Sequence, residues 1–147
     1  MSNNDLSNNV AVVTGGADGI GEGITRILWG TSTQVIIADI QIKKGEALST
    51  KLGEKASFAL LDVTDPDSWN KLVAALKSNQ GRLDILVNNA GGGGFGNLDQ
   101  LTIEEWRKIM ALNIDSVFLG CKTAASLLQA DGGGSIINTS STNANRA

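Results

Sequence analysis

Apolar residues fall in five short, nearly unbroken runs, at Val10–Thr14, Gln34–Asp39, Ala56–Asp62, Leu83–Asn88 and Ser135–Thr139. Runs of this length, rich in Val, Ile and Leu and without polar alternation, predict strands covered on both faces. Between them, Ile20–Trp29, Lys43–Leu52, Pro66–Ser78 and Thr102–Leu128 repeat apolar positions every three or four residues, the signature of helices. Pro66 suits a first helical turn capped by Thr64 or Asp65, because its missing N–H would go unpaired there anyway. In the fourth helix Ile103, Trp106, Met110, Ile114, Val117, Phe118, Cys121, Ala125 and Leu128 line up as one long apolar face. Asn113 interrupts that region. An Asn side chain competes for helix backbone groups, so its presence requires a reason, either functional or as an amide that ties two elements together.

Strict alternation of strand and helix predicts an α/β fold. The expected architecture is a doubly wound, Rossmann-like parallel sheet with right-handed crossovers and a helical layer on each face, forming one domain over residues 1–147. Ligands of such sheets bind at the carboxyl ends of the strands. Gly15 to Gly21, Asp39, Asp62, Asn88 to Gly91 and the Ser140-Ser141 pair all fall at those ends. The glycine tracts Gly91–Gly94 and Gly132–Gly134 read as loops, and neither is followed by the Gly-Lys-Ser/Thr that grips a nucleoside triphosphate.

Composition narrows the partners. The chain has 147 residues, 41% of them hydrophobic, a length and content that suit a single core. Net charge is −3, with the 12 basic residues scattered, which argues against nucleic acid and against an anionic membrane surface. The polar start Met1 to Asn9 has no apolar leader and no stretch reaches spanning length, so the expected location is cytoplasmic. The single cysteine, Cys121, forms no internal disulfide and is expected to pack as a small hydrophobe; with no histidine in the chain, a zinc site is not expected.

The chemistry begins at the turn from Thr14 to Gly21. A tight glycine turn between a strand and a helix lets backbone approach a pyrophosphate, and the helix start offers N–H groups and a positive dipole end. Asp39, at the end of the second strand, is placed to accept hydrogen bonds from ribose hydroxyls and to repel a 2′-phosphate, which favours NAD over NADP. Asp62, after the third strand, is open to two readings, an acceptor for an adenine amino group or a cap in the region before Pro66.

Taken together and in order, these segments resemble the short-chain dehydrogenase/reductase family. The resemblance rests on Thr14-Gly15-x-x-x-Gly19-x-Gly21, Asp62-Val63, Asn88-Asn89-Ala90-Gly91, Trp106, Asn113, and Ser135 to Ser141. It implies that NAD is held by Gly15, Asp18, Gly19, Ile20, Gly21, Asp39, Asp62, Val63, Asn89, Ala90 and Gly91. Asp18 stands near where NADP-preferring members often carry a basic residue. The resemblance further implies hydride transfer between nicotinamide and a secondary alcohol or ketone, with Ser141 polarising the substrate oxygen and Asn113 sustaining a proton relay. A homo-oligomer, dimer or tetramer, is expected for the intact enzyme.

One part of the family pattern has no counterpart in these residues. The Tyr-x-x-x-Lys pair, the general acid/base and its pKa-lowering lysine, would lie beyond Ser141, and the chain contains no tyrosine. The sheet is therefore expected to be incomplete on its C-terminal side, with Ser135–Thr139 an exposed apolar edge, and this chain alone is expected to lack appreciable turnover. The alternative is a dinucleotide-binding module or sensor without catalysis. Smaller departures are Gly30, expected to supply a left-handed helix cap, and Gly23, expected to weaken the first helix by up to about 1 kcal/mol.

Overall fold

The computed structural model describes residues 6–93, 97–130 and 132–141. The apolar runs form strands β1 (Val10–Thr14), β2 (Gln34–Asp39), β3 (Ala56–Leu60), β4 (Ile85–Asn88) and β5 (Ser135–Asn138). Helices α1 (Gly19–Gly30), α2 (Ile42–Leu52), α3 (Pro66–Asn79), α4 (Ile103–Met110) and α5 (Ser116–Ala130) alternate with them, after a short 3₁₀ turn at Leu98–Gln100. All pairings are parallel, in the order β3-β2-β1-β4-β5. This is the Rossmann-like sheet that the alternation predicts.

Strand periodicity sends alternate residues to opposite faces, and each face has its own core. Val10, Val12, Ile36, Ala38 and Leu86 meet Trp69, Leu72 and Leu76 of α3 and Ala124 and Leu127 of α5. Ala11, Val13, Val35, Ile85 and Val87 meet Ile24 and Leu28 of α1, while Ile37 packs with Leu48 and Leu52 of α2. Asp65 caps α3 by accepting from the N–H groups of Asp67 and Ser68, with Pro66 in the first turn. Asp62 is not that cap; its carboxylate accepts from the backbone and hydroxyl of Thr64.

Several expectations are corrected. Strand β3, expected to be covered on both faces, is partly exposed because it is a sheet edge, whereas β5 is exposed along its length, the apolar edge expected of it. Strand β3 stops at Leu60 rather than Asp62, where the Asp62 turn towards α3 takes over the backbone. Gly30 stays helical, and the left-handed position beyond α1 is taken by Ser32, with φ of 65°. Cys121 is half-buried, its Sγ 3.6 Å from Nδ2 of Asn88, so it sits beside an amide pair and not in the apolar core. Gly94, at the end of the first glycine tract, lies outside the described residues.

The expected long fourth helix is divided by a π-helical turn, Ala111–Asp115, between α4 and α5. The wider turn resets the helical phase. Ile103, Trp106, Ile114 and Phe118 of the predicted apolar face are exposed, and beyond the turn the buried positions are Ser116, Gly120, Ala124, Leu127 and Leu128. Small residues let α5 approach the sheet. A side chain at Gly120 would run into Oδ1 of Asn88 and the Trp69 ring.

Candidate functional site

The carboxyl ends of β1, β2 and β4 open into a cleft of about 440 Å³. Its walls are Gly15, Asp18, Gly19, Ile20 and Gly21 from the turn into α1; Asp39, Ile40 and Gln41 from the end of β2; Leu61, Asp62 and Val63 after β3; Asn89, Ala90 and Gly91 after β4; and Leu112 of the π turn. Every residue expected to touch the cofactor lines this one cleft. Ile40, Gln41, Leu61 and Leu112 line it too, without having been singled out by the sequence.

The glycine turn has its shape imposed from three sides. Gly15 holds φ of 62°, and a Cβ there would lie 3.0 Å from Cα of Ala90. A Cβ at Gly21 would overlap the carbonyl oxygen of Gly15, so the helix and the turn can touch only through glycine. Thr25, fully buried on α1, donates its hydroxyl to the Gly16 carbonyl at 3.1 Å. Asp18 caps α1, with Oδ1 accepting the Gly19 N–H at 2.9 Å.

Thr14 ties β1 to β4. Its Oγ1 donates to the Val87 carbonyl at 3.3 Å and accepts the N–H groups of Asn89 at 2.9 Å and Ala90 at 3.0 Å. In return Nδ2 of Asn89 donates to the Thr14 carbonyl at 3.0 Å. The backbone that floors the cleft is therefore fixed by side chains on both strands. The supporting roles of Thr14 and Thr25 were not foreseen from sequence; the one available signal was a hydroxyl at a buried strand or helix phase.

Asp39 is buried, 5% exposed, at the end of β2. Oδ2 accepts the Ala17 N–H at 3.0 Å and Oδ1 the Gln41 N–H at 2.9 Å. A carboxylate has about four lone-pair positions, so each oxygen retains acceptor capacity after these two bonds. Asp18 is exposed and carries an ion pair, with Nζ of Lys44 at 2.5 Å from Oδ2. The hydrogen bond from Lys44, the Gly19 N–H and the ammonium charge hold the Asp18 carboxyl below its ordinary value.

Asn113 lies in the π turn. Its Oδ1 accepts the Gly92 N–H at 3.1 Å, and Nδ2 donates to the Gly92 carbonyl at 2.8 Å and to the Ile109 carbonyl at 2.8 Å. The amide thus joins the loop after β4 to the interrupted helix. At the outer side of that edge, Asn88 donates through Nδ2 to Oδ1 of Asn138 at 2.8 Å, linking β4 to β5. Ser141 follows β5 at the same, carboxyl edge of the sheet and is exposed. Asn113 and Ser141 are not among the residues lining the cleft.

Among the described residues there is no cluster of three or more metal-ligating side chains, and no helix is long and apolar enough to cross a membrane. The family model described as short chain dehydrogenase matches residues 9–147. The chain is similar to the 3-beta-hydroxysteroid dehydrogenase of Comamonas testosteroni, 36% identical over 138 residues, which cover 94% of this chain and 54% of that protein. It is also similar to the 3-alpha-(or 20-beta)-hydroxysteroid dehydrogenase of Mycobacterium bovis, 36% identical over 136 residues, or 92% of this chain and 52% of that protein. A third relative is the trans-4-hydroxycyclohexanecarboxylate dehydrogenase of Sinomonas cyclohexanicum, 37% identical over 145 residues, or 92% and 56%. The chain spans about half the length of these curated relatives.

Proposed function

The chain belongs to the short-chain dehydrogenase family, and from that premise we propose that it holds NAD(H) for hydride transfer between nicotinamide and a secondary alcohol or its ketone. The observation that carries the NAD part is Asp39. Its two oxygens are oriented by Ala17 and Gln41 at the end of β2, each with capacity left for a ribose hydroxyl. Among the described residues, those lining the cleft include Asp18, Asp39 and Asp62 and no lysine or arginine, which disfavours an added 2′-phosphate.

Gly15, Gly19, Ile20 and Gly21 would hold the pyrophosphate, because only a turn without side chains lets backbone approach it. Asp62 and Val63 would flank the adenine, and Asn89, Ala90 and Gly91 would back the cofactor. Bound nicotinamide supplies the hydride chemistry. Asn113 and Ser141 are assigned the catalytic roles that the family pattern implies, proton relay and polarisation of the substrate oxygen. The relatives are named as dehydrogenases of hydroxysteroids and of a hydroxycyclohexanecarboxylate, which supports a secondary alcohol as the substrate class. A homo-oligomer belongs to the same reading, supported by the exposed Ile103, Trp106, Ile114 and Phe118, and a cytoplasmic location is proposed with it.

Titration calorimetry of the chain with NAD and NADP tests this proposal. NAD is expected to bind the more tightly, and Asp39→Ala to weaken NAD by about tenfold, the loss of one or two hydrogen bonds to a charged acceptor. Equal affinity for the two dinucleotides would overturn NAD selectivity. Absence of binding by both would overturn the dinucleotide site.

A further inference from the structure

At the ribose end of the cleft, the two walls are joined by a charge pair that the family pattern does not call for. Asp18 is the N-cap of α1 and lines the cleft. Lys44 belongs to the first turn of α2, just beyond Ile40 and Gln41, which line the same end. Its ammonium is 2.5 Å from Oδ2 of Asp18, and the two side chains are 54% and 55% exposed. The other two carboxylates of the cleft are satisfied differently: Asp39 by the backbone of Ala17 and Gln41, Asp62 by Thr64. Lys44, next to the exposed Lys43 on the same turn, is thus a cation that touches a lining side chain, while no lysine or arginine is among the described residues that line the cleft.

We propose that the Asp18–Lys44 pair is a cofactor-selectivity latch, in which Asp18 withholds from the ribose end of the cleft an ammonium that would otherwise receive a 2′-phosphate. The inference rests on the dinucleotide reading above and adds a specificity residue, Lys44, that does not line the cleft. The electrostatics are local. An engaged Lys44 presents a neutral pair to the ligand, whereas a released Lys44 presents a full positive charge beside a site that faces a dianion. An exposed pair of this kind is weak, typically under about 1 kcal/mol, so one substitution suffices to release it without disturbing the fold.

The test is a double-variant cycle on the full chain with Asp18→Ser, Lys44→Gln and the two combined. Serine keeps an N-cap oxygen for α1, and circular dichroism verifies that helix content is unchanged. The probes are 5′-AMP and adenosine 2′,5′-bisphosphate, which differ only in the 2′-phosphate, together with NAD and NADP, all measured by calorimetry. Asp18→Ser is expected to tighten the bisphosphate relative to 5′-AMP, and NADP relative to NAD, by about threefold to fivefold, the most that releasing a pair worth under about 1 kcal/mol can yield. In the combined variant that gain is expected to vanish. A gain of equal size with and without Lys44 would overturn the latch, since it would mean that Asp18 acts by direct repulsion, and so would no gain at all. If the unaltered chain binds neither 5′-AMP nor NAD, the dinucleotide reading fails and the latch with it; if it binds both but the cycle shows no coupling, the latch alone fails.

Discussion

The side-chain amide of Asn113 pairs with both backbone groups of Gly92, accepting its N–H at 3.1 Å and donating to its carbonyl at 2.8 Å. A third bond, to the Ile109 carbonyl, anchors the same amide inside its own helix. The π turn and the loop after β4 are therefore one mechanical unit. Asn113→Ala is expected to cost about 0.5–1.5 kcal/mol in chemical denaturation, because two exposed backbone groups of Gly92 exchange its amide for water and the part-buried Ile109 carbonyl loses it. Amide exchange at Gly92 should accelerate at the same time. An unchanged midpoint together with unchanged exchange would show that the loop is held by other contacts.

Thr14 has the corresponding position between β1 and β4. Replacement by Val keeps the shape and removes the oxygen that accepts the N–H groups of Asn89 and Ala90. The expected loss is about 1–3 kcal/mol. Thr14→Ser, which restores the oxygen without the methyl, is expected to recover most of it; failure of serine to do so would attribute the effect to packing.

Two glycines of α1 should respond in opposite senses. Gly23 is exposed, and a Cβ built on it meets nothing within 4 Å, so Gly23→Ala is expected to raise stability by about 0.5–1 kcal/mol through helix propensity alone. Gly21→Ala places its methyl on the Gly15 carbonyl and is expected to destabilise the chain and abolish dinucleotide binding. Thermal melts of the two variants decide both outcomes, and a Gly21→Ala protein with native stability and affinity would contradict the close approach.

Asp84, buried just before β4, predicts the response to acid. Burial pushes its carboxyl up, but the hydrogen bond from Arg82, the Val10 N–H and the guanidinium charge together outweigh it and hold the group below its ordinary 3.8. Oδ2 accepts the Val10 N–H at 2.8 Å, so this carboxylate joins the start of β1 to the segment leading into β4. A pKa lower in the folded than in the unfolded chain means stability that is present above 3.8 and lost as pH falls through the folded value. The stability difference between the native chain and Asp84→Asn is therefore expected to be constant near neutrality and to shrink below pH 3.8. Denaturation curves that stay parallel throughout that range would refute the linkage.

These 147 residues on their own are expected to bind dinucleotide without turning over. They contain no tyrosine and no histidine, and a serine hydroxyl near its free pKa is not a general acid/base at neutral pH. A spectrophotometric assay with NAD and a panel of cyclic secondary alcohols should stay at background. Turnover at rates typical of dehydrogenases would show that other groups among these residues carry the proton transfer.

Much of the molecule was legible in one dimension because strand and helix periods are local properties of the chain. The run Val10 to Thr14, the glycine turn after it and Asp39 at the end of the second run were enough to locate strands, crossover and the edge that carries the cleft, since a parallel sheet puts all strand ends on one side. Local pattern also marked Asn113 as a polar residue out of place.

Tertiary structure decided what depends on neighbours distant in sequence. Whether an apolar strand is buried depends on its place in the sheet, so β3 shares the apolar character of the inner strands and yet lies at an edge. The break at Ala111–Asp115 has no signature in a regular three-and-four repeat, because a π turn shifts the phase of every residue after it; the Gly92 loop shows what Asn113 holds there. The roles of Thr14, Thr25 and Lys44 likewise follow from contacts with Asn89, Gly16 and Asp18, between elements that only folding brings within hydrogen-bond distance.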